Sequence, residues 1–219
     1  MRVRLLFAHG WALDRTLWNG VLDALGDLAK DAAVLDAGYY GAPQGLPYQE
    51  GTAWLGVGQS LGALELLADP PAPLCGLVAI DGFARFAAAA DFPAGQDPRR
   101  IQLMVKRLDH GPGPLVADFL GRALRGMSPA AGEPDPQSLA RGLERLTRLD
   151  GRAAARRLPV WRLHACEDPI APLGLADASF EGVPTRLRLL RQAQDHLSPI
   201  TAPGECAALV RAAVQAIAE

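Results

Sequence analysis

Cysteine is scarce and scattered: Cys75, Cys166 and Cys206 are the only three in 219 residues. Three isolated thiols with no C-x-x-C pair build neither a disulfide framework nor a structural zinc site, and reduced thiols fit a cytoplasmic address. Lysine is scarcer still. Of the 22 basic side chains all but Lys30 and Lys106 are arginine. The formal net charge is −2, which argues against a dedicated nucleic-acid binder, since such a protein is basic overall. No apolar run approaches the ~20 residues that span a bilayer, and Leu5-Leu6-Phe7-Ala8 is too short for a signal-peptide core. Neither nucleic acid nor membrane is an expected partner. What is present is a globular composition, 49% hydrophobic and 21% charged, sufficient for one domain with a sizeable core. The 23 glycines and 18 prolines signal many turns.

Short apolar runs recur along the chain. Val3 to Ala8, Val34-Leu35, Ala53 to Val57, Leu74 to Ile80, Val160 to Ala165 and Thr185 to Leu190 read as strands. Runs without alternation mark strands buried on both faces of a parallel sheet. Helical periodicity falls between them, over Leu17 to Leu28, Leu61 to Ala68 and Gly204 to Ala218, while residues 37 to 52 carry six glycines and prolines and read as loop. From Phe83 to Asp150 strand signals stop. Three helical patterns replace them, about Pro98 to Asp109, Leu115 to Arg125 and Gln137 to Leu149. The expected architecture is therefore an α/β core of residues 1–82 and 151–219 around a mostly parallel sheet. Residues 83–150 form a helical cap over the strands' carboxyl ends, where open α/β sheets bind ligands.

Gly58-Gln59-Ser60-Leu61-Gly62 matches G-x-S-x-G between a strand and a helix, the turn that exposes a serine hydroxyl for nucleophilic attack. A serine needs a base oriented by an acid. Of four histidines, only His164 and His196 fall late enough to sit by the last strands. His164 lies inside a strand pattern, and His196 lies in the loop Gln194 to Pro199, so His196 is the expected base. The acid is expected at Asp168, which follows the fifth strand, with Glu167 and Asp81 as rivals. Pre-placed backbone donors for an oxyanion are expected from the amides of Leu61, after the nucleophile, and Trp11, in the loop His9-Gly10-Trp11.

With these residues the sequence resembles the α/β-hydrolase superfamily. Within it, the sequence is similar to the methyl ester esterases of biotin synthesis that act on pimeloyl-acyl carrier protein. The matching stretches are Leu5 to Leu13, Gly58 to Gly62, Gly142 to Leu146 through Asp150, Asp168 to Pro172, and His196 with Pro203 seven residues on. The resemblance implies a triad of Ser60, Asp168 and His196 and oxyanion amides at Trp11 and Leu61. Four features depart from that pattern. The chain starts almost at the first strand, so the family's N-terminal hairpin is expected to be absent. The stretch Leu35 to Ala53 is too short for the usual intervening helix. Ala63 stands where a second glycine is common, and Gln59 replaces the aromatic residue or histidine often found before the nucleophile.

From Pro98 to Arg125 six basic side chains, Arg99, Arg100, Lys106, Arg107, Arg122 and Arg125, face two acidic ones, Asp109 and Asp118. An acidic carrier protein would be drawn to such a patch, so Arg99, Arg100, Arg122 and Arg125 are expected to bind substrate or partner. The expected activity is serine carboxylester hydrolysis without metal or organic cofactor, on a small ester that an acyl carrier protein presents. A general small-acyl carboxylesterase or thioesterase would use the same residues. A hydrolase-like protein that binds a ligand or partner without turnover would not need the complete triad.

Overall fold

A computed structural model of the chain describes residues 3–46, 53–128 and 132–219. In chain order its elements are β1 (Val3–Ala8), α1 (Asn19–Leu25), β2 (Ala33–Val34), β3 (Ala53–Gln59), α2 (Leu61–Ala68) and β4 (Leu74–Ile80). They continue with α3 (Pro98–Leu108), α4 (Pro112–Ala123), α5 (Pro136–Arg148), α6 (Arg152–Ala155), β5 (Val160–Ala165), α7 (Leu173–Ser179), β6 (Thr185–Arg191), α8 (Ser198–Thr201) and α9 (Pro203–Ala218). The six strands form one sheet in the order β2-β1-β3-β4-β5-β6, and every pairing is parallel.

Two clusters cover the two faces of the sheet. Leu5, Phe7, Leu55, Val57, Val78 and Ile80 pack with Val21 and Leu25 of α1 and Leu209 and Val210 of α9. The alternate residues Leu6, Ala8, Trp54, Leu77 and Ala79 pack with Leu66 and Leu67 of α2. Side chains alternate between faces along a strand, and both faces here are covered, so the strands read as unbroken apolar runs. After β1 the chain steps outward to β2, then crosses back to add β3 on the other side of β1. That reversal sets the carboxyl ends of β1 and β3 side by side, with Ala8 paired to Gly58. It is the crevice in which open α/β sheets place their ligands.

The expected helix from Leu17 to Leu28 is broken. A 3₁₀ turn over Arg15–Trp18 is capped by Asp14, whose carboxylate accepts from the Thr16 amide at 2.7 Å, and it leads into α1. Gly26 then adopts a left-handed φ of 58° and opens a second 3₁₀ turn, Gly26–Ala29. Residues 35–46 hold neither helix nor strand; the rest of the expected loop, 47–52, lies outside the described residues.

Between Phe83 and Asp150 no strand joins the sheet among the described residues, and α3, α4 and α5 follow a non-helical stretch over residues 83–97. Two of these helices start by the same device. Asp97 caps α3 and Asp135 caps α5, each accepting a backbone N–H, and a proline holds the first position of each. α4 starts at Pro112, earlier than its apolar pattern suggests, because proline fits the first helical position. The short helices α6, α7 and α8 carry too few residues to show a period in the sequence. No helix among the described residues is long and apolar enough to cross a membrane.

Candidate active site

Ser60 stands between β3 and α2 with φ 52° and ψ −122°, a backbone conformation that costs a non-glycine residue about 1–3 kcal/mol. The flanking glycines make the turn feasible. A methyl group on Gly58 would collide with the backbone of Ala63, and one on Gly62 would run into the carbonyls of Ala8 and His9. The turn therefore closes only where both neighbours lack a Cβ. Its amide is tied to the next strand, Ser60 N–H donating to Ile80 O at 3.2 Å. Leu61 opens α2, so its N–H is among those with no acceptor inside the helix.

The Ser60 hydroxyl donates to His196 Nε2 at 2.8 Å. The His196 Nδ1–H in turn donates to Asp168 Oδ2 at 2.6 Å. Asp168 follows β5, and its Oδ1 accepts the amides of Ile170 (2.8 Å) and Ala171 (2.9 Å), which leaves Oδ2 aimed at the imidazole. All three side chains are buried. Burial alone would lower the basicity of His196, but the charge and hydrogen bond of Asp168, together with the charges of Asp81 and Asp195, outweigh it and hold the ring above the usual histidine range. The His196 backbone is held on both sides. Its N–H donates to Ala123 O, at the end of α4, at 2.8 Å, and its carbonyl accepts Gln59 Nε2 at 2.8 Å.

The rival residues sit elsewhere in this network. His164 donates from Nε2 to Ala171 O at 2.8 Å and lies 3.5 Å from Asp168 Oδ2; it braces the loop that carries the acid. Glu167 is exposed. Asp81, at the end of β4 with φ 45°, accepts from Ala165 N at 3.2 Å, Ser198 N at 2.8 Å and Ser198 Oγ at 3.0 Å. It thus ties the ends of β4 and β5 to the loop bearing His196. Burial pushes its carboxyl above the usual range. The sequence marked Asp81 as a rival acid and gave no sign of this link, which depends on a partner 117 positions away. Asp81, His164 and Asp168 also bring one potential metal ligand each within 4.8 Å of one another, yet both carboxylates and the His164 Nε2 are already engaged in the hydrogen bonds above.

A cavity of about 90 Å³ adjoins Ser60, walled by Trp11, Phe83, Phe86, Phe119, Leu143 and Ile170. Trp11 follows β1; its indole N–H donates to Leu139 O at 2.9 Å, and its ring meets Phe119 edge-on, centroids 4.9 Å apart. The indole is thereby locked as one wall. Arg100 and Arg122 line this cavity and also an open groove of about 710 Å³ between α3 and α4. Arg99 and Arg125 are exposed and line neither space. Arg107 is ion-paired with Asp118 across the groove. Chemically, the arrangement offers a hydroxyl with a proton acceptor in contact, an ion to orient that acceptor, and an apolar chamber beside it.

No protein-family model matches the chain. It is 26% identical over 200 residues to the biotin biosynthesis bifunctional protein BioHC of Cellvibrio japonicus, covering 80% of this chain and 40% of that protein. The chain thus spans well under half the length of that bifunctional relative. It is also 26% identical over 216 residues to the pimeloyl-[acyl-carrier protein] methyl ester esterase of Nitrosomonas europaea, covering 85% of each. Among solved structures, an esterase from Exiguobacterium antarcticum superposes with a TM-score of 0.78 at 13% identity, over 98% of this chain and 92% of that one. The chain has the α/β-hydrolase fold, and its sequence resembles pimeloyl-acyl carrier protein methyl ester esterases.

Proposed function

We propose that the chain is a serine carboxylesterase that hydrolyses the methyl ester of an acyl carrier protein-bound dicarboxylate, pimeloyl-acyl carrier protein methyl ester. The observation that carries the reading is the hydrogen-bonded series Ser60–His196–Asp168 beside an apolar cavity. The substrate follows the printed activity of the Nitrosomonas europaea relative. Two arginines at the junction of the cavity with the outer groove support an acyl chain entering from a docked carrier. In this reading residues 83–150 are the cap and residues 1–82 and 151–219 the core.

His196 Nε2 takes the Ser60 proton as Oγ bonds to the ester carbonyl carbon. The carbonyl oxygen becomes an oxyanion, and the amides of Leu61 and Trp11 donate to it. The tetrahedral centre collapses as His196 returns the proton to the departing alkoxide, leaving an acyl group on Ser60. Water then attacks that ester, His196 takes the water's proton, and Ser60 leaves with it as the free acid forms. Asp168 stays ionised throughout. It fixes the proton on Nδ1, so that Nε2 is free to accept, and it stabilises the imidazolium.

The test is fluorophosphonate labelling followed by hydrolysis of a panel: p-nitrophenyl acetate, a free dicarboxylate methyl ester, and the same ester on a carrier protein. Label on Ser60 with the highest kcat/KM for the carrier-bound ester is the expected result. An equal or higher kcat/KM for the free ester would reduce the reading to a general small-acyl esterase, which the small cavity also suits. Absence of label and of turnover would overturn catalysis itself.

A further inference from the structure

Gln59, the residue before the nucleophile, is fully buried and plays no part in the proton transfers above. We propose that it is a positioning residue for the base: its side-chain amide holds the His196 backbone so that the imidazole stays aimed at Ser60. The proposal rests on the reading of Ser60 and His196 as nucleophile and base.

Three observations carry it. First, Gln59 Nε2 donates to the carbonyl of His196 itself, at 2.8 Å, across 137 positions of sequence. The last residue of the nucleophile's strand therefore grips the residue that must receive the nucleophile's proton. Second, Gln59 Oε1 is buried with no hydrogen-bond partner. An unpaired buried acceptor opposes folding, so half of this amide is kept at a cost to stability. The amide has no better orientation, because rotating it would set Oε1 against the His196 carbonyl, two acceptors face to face. Third, the amide lies directly beneath the loop after β1. A methyl group on Gly10 would strike Oε1 and come within 3.0 Å of Ser60 Cβ. Gln59 is thus wedged between that loop and the base, and glycine at position 10 is what makes room for it.

The second anchor of His196 gives the amide its leverage. With its N–H on Ala123 O and its carbonyl on Gln59, His196 hangs between α4 and β3. The ring contacts of 2.8 Å and 2.6 Å are made by a backbone with little freedom to swing. Without the Gln59 hydrogen bond the His196 N–H still rests on α4 and Ser198, two residues on, on Asp81, but the His196 carbonyl itself is unheld, and the imidazole samples positions away from the Ser60 hydroxyl. Misplacement by about 1 Å costs on the order of 10²-fold in rate.

Gln59→Met separates positioning from packing, because it keeps length and burial while removing both the donor and the orphan acceptor. The expected result is a kcat on p-nitrophenyl acetate lowered about 10- to 100-fold, an unchanged KM, and an unfolding midpoint equal to that of the unmodified chain or higher. Gln59→Leu, of similar volume and with no donor in any protonation state, is expected to show the same loss of kcat. An NMR measurement stands apart from turnover: the downfield Nδ1–H resonance of His196 should be sharp in the unmodified chain and broadened by exchange in Gln59→Met. Unmodified kcat and a sharp resonance in Gln59→Met would overturn the proposal. So would a loss of activity that merely tracks a loss of folded protein in both variants, since that assigns Gln59 to the core. If the unmodified chain neither labels nor turns over, the catalytic reading fails, and the resonance still decides whether Gln59 holds His196.

Discussion

The imidazole of His196 is surrounded by charge as well as by protein. Asp168 holds it through contact, and Asp81 and Asp195 reinforce the shift through space, so its basicity rises above the ordinary value of 6.5 although burial opposes this. A protonated imidazole cannot accept the Ser60 proton, so activity is lost as pH falls through that raised value. The acid limb of kcat/KM should therefore lie above pH 6.5. Asp168→Asn removes the first of the three charges and the hydrogen bond. The limb should then move to lower pH while kcat drops on the order of 10⁴-fold, as when other triads lose their acid. A pH–rate profile of both proteins checks this, and a limb that stays in place would assign the shift to Asp81 and Asp195. Ser60→Ala should abolish turnover and fluorophosphonate labelling with an unfolding midpoint close to that of the unmodified chain, because it removes one hydroxyl from a cavity wall; residual labelling would locate the nucleophile elsewhere.

Among the elements, the turn from β3 to α2 is tightly constrained. Gly62 packs against the carbonyls of Ala8 and His9, which are backbone and cannot rotate away. Gly62→Ala should destabilise the protein by at least the ~1–3 kcal/mol typical of overpacking, and it should lower activity too, since the displaced chain at Ala8 and His9 leads into Trp11, whose amide is the proposed oxyanion donor. Gly121→Ala, on α4 with open space around the added methyl group, should stabilise by about 0.5–1 kcal/mol. Urea denaturation of both variants tests the pair of opposite signs. The same packing explains what the sequence makes legible. β1, β3, β4 and β5 read as strands because both faces are covered, and α3 and α5 read as helices from their apolar spacing, whereas the Asp135-Pro136 start of α5, one residue before the expected Gln137, comes from the structure. The break in α1 hangs on one glycine whose φ no periodicity reveals. The serine turn is visible in five consecutive residues. The choice among Asp168, Glu167 and Asp81 is not, because all three follow strand ends; only their partners in space separate them. Gln59 stands out in the sequence only as an unusual neighbour, since its contact with His196 spans 137 positions.

For the whole molecule, the question is how a face of basic helices relates to a buried serine. Arg107 is already paired with Asp118, so the charge available to a partner rests on Arg99, Arg100, Arg122 and Arg125, with Lys106 at the outer groove. Arg100 and Arg122 stand where the outer groove meets the Ser60 cavity, and Arg122 is next to Ala123, whose carbonyl anchors His196. An acidic carrier held there would deliver its acyl chain inward past the two arginines. Reversing Arg99 and Arg125 to glutamate changes the long-range field while leaving the cavity wall untouched. KM for the carrier-bound ester should rise about tenfold, and its dependence on salt should weaken, because rim charges act mainly on association and are screened beyond about 8 Å at 0.15 M salt. Hydrolysis of p-nitrophenyl acetate should not change. Reversing Arg100 and Arg122 as well should raise KM for the carrier-bound ester further and also alter the small-ester kinetics, since those two side chains line the cavity. Kinetics on both substrates at low and high salt decide the matter. A carrier-bound KM that ignores charge at all four positions would leave the basic face as a solvated helix surface and would favour a small, carrier-free ester as the substrate.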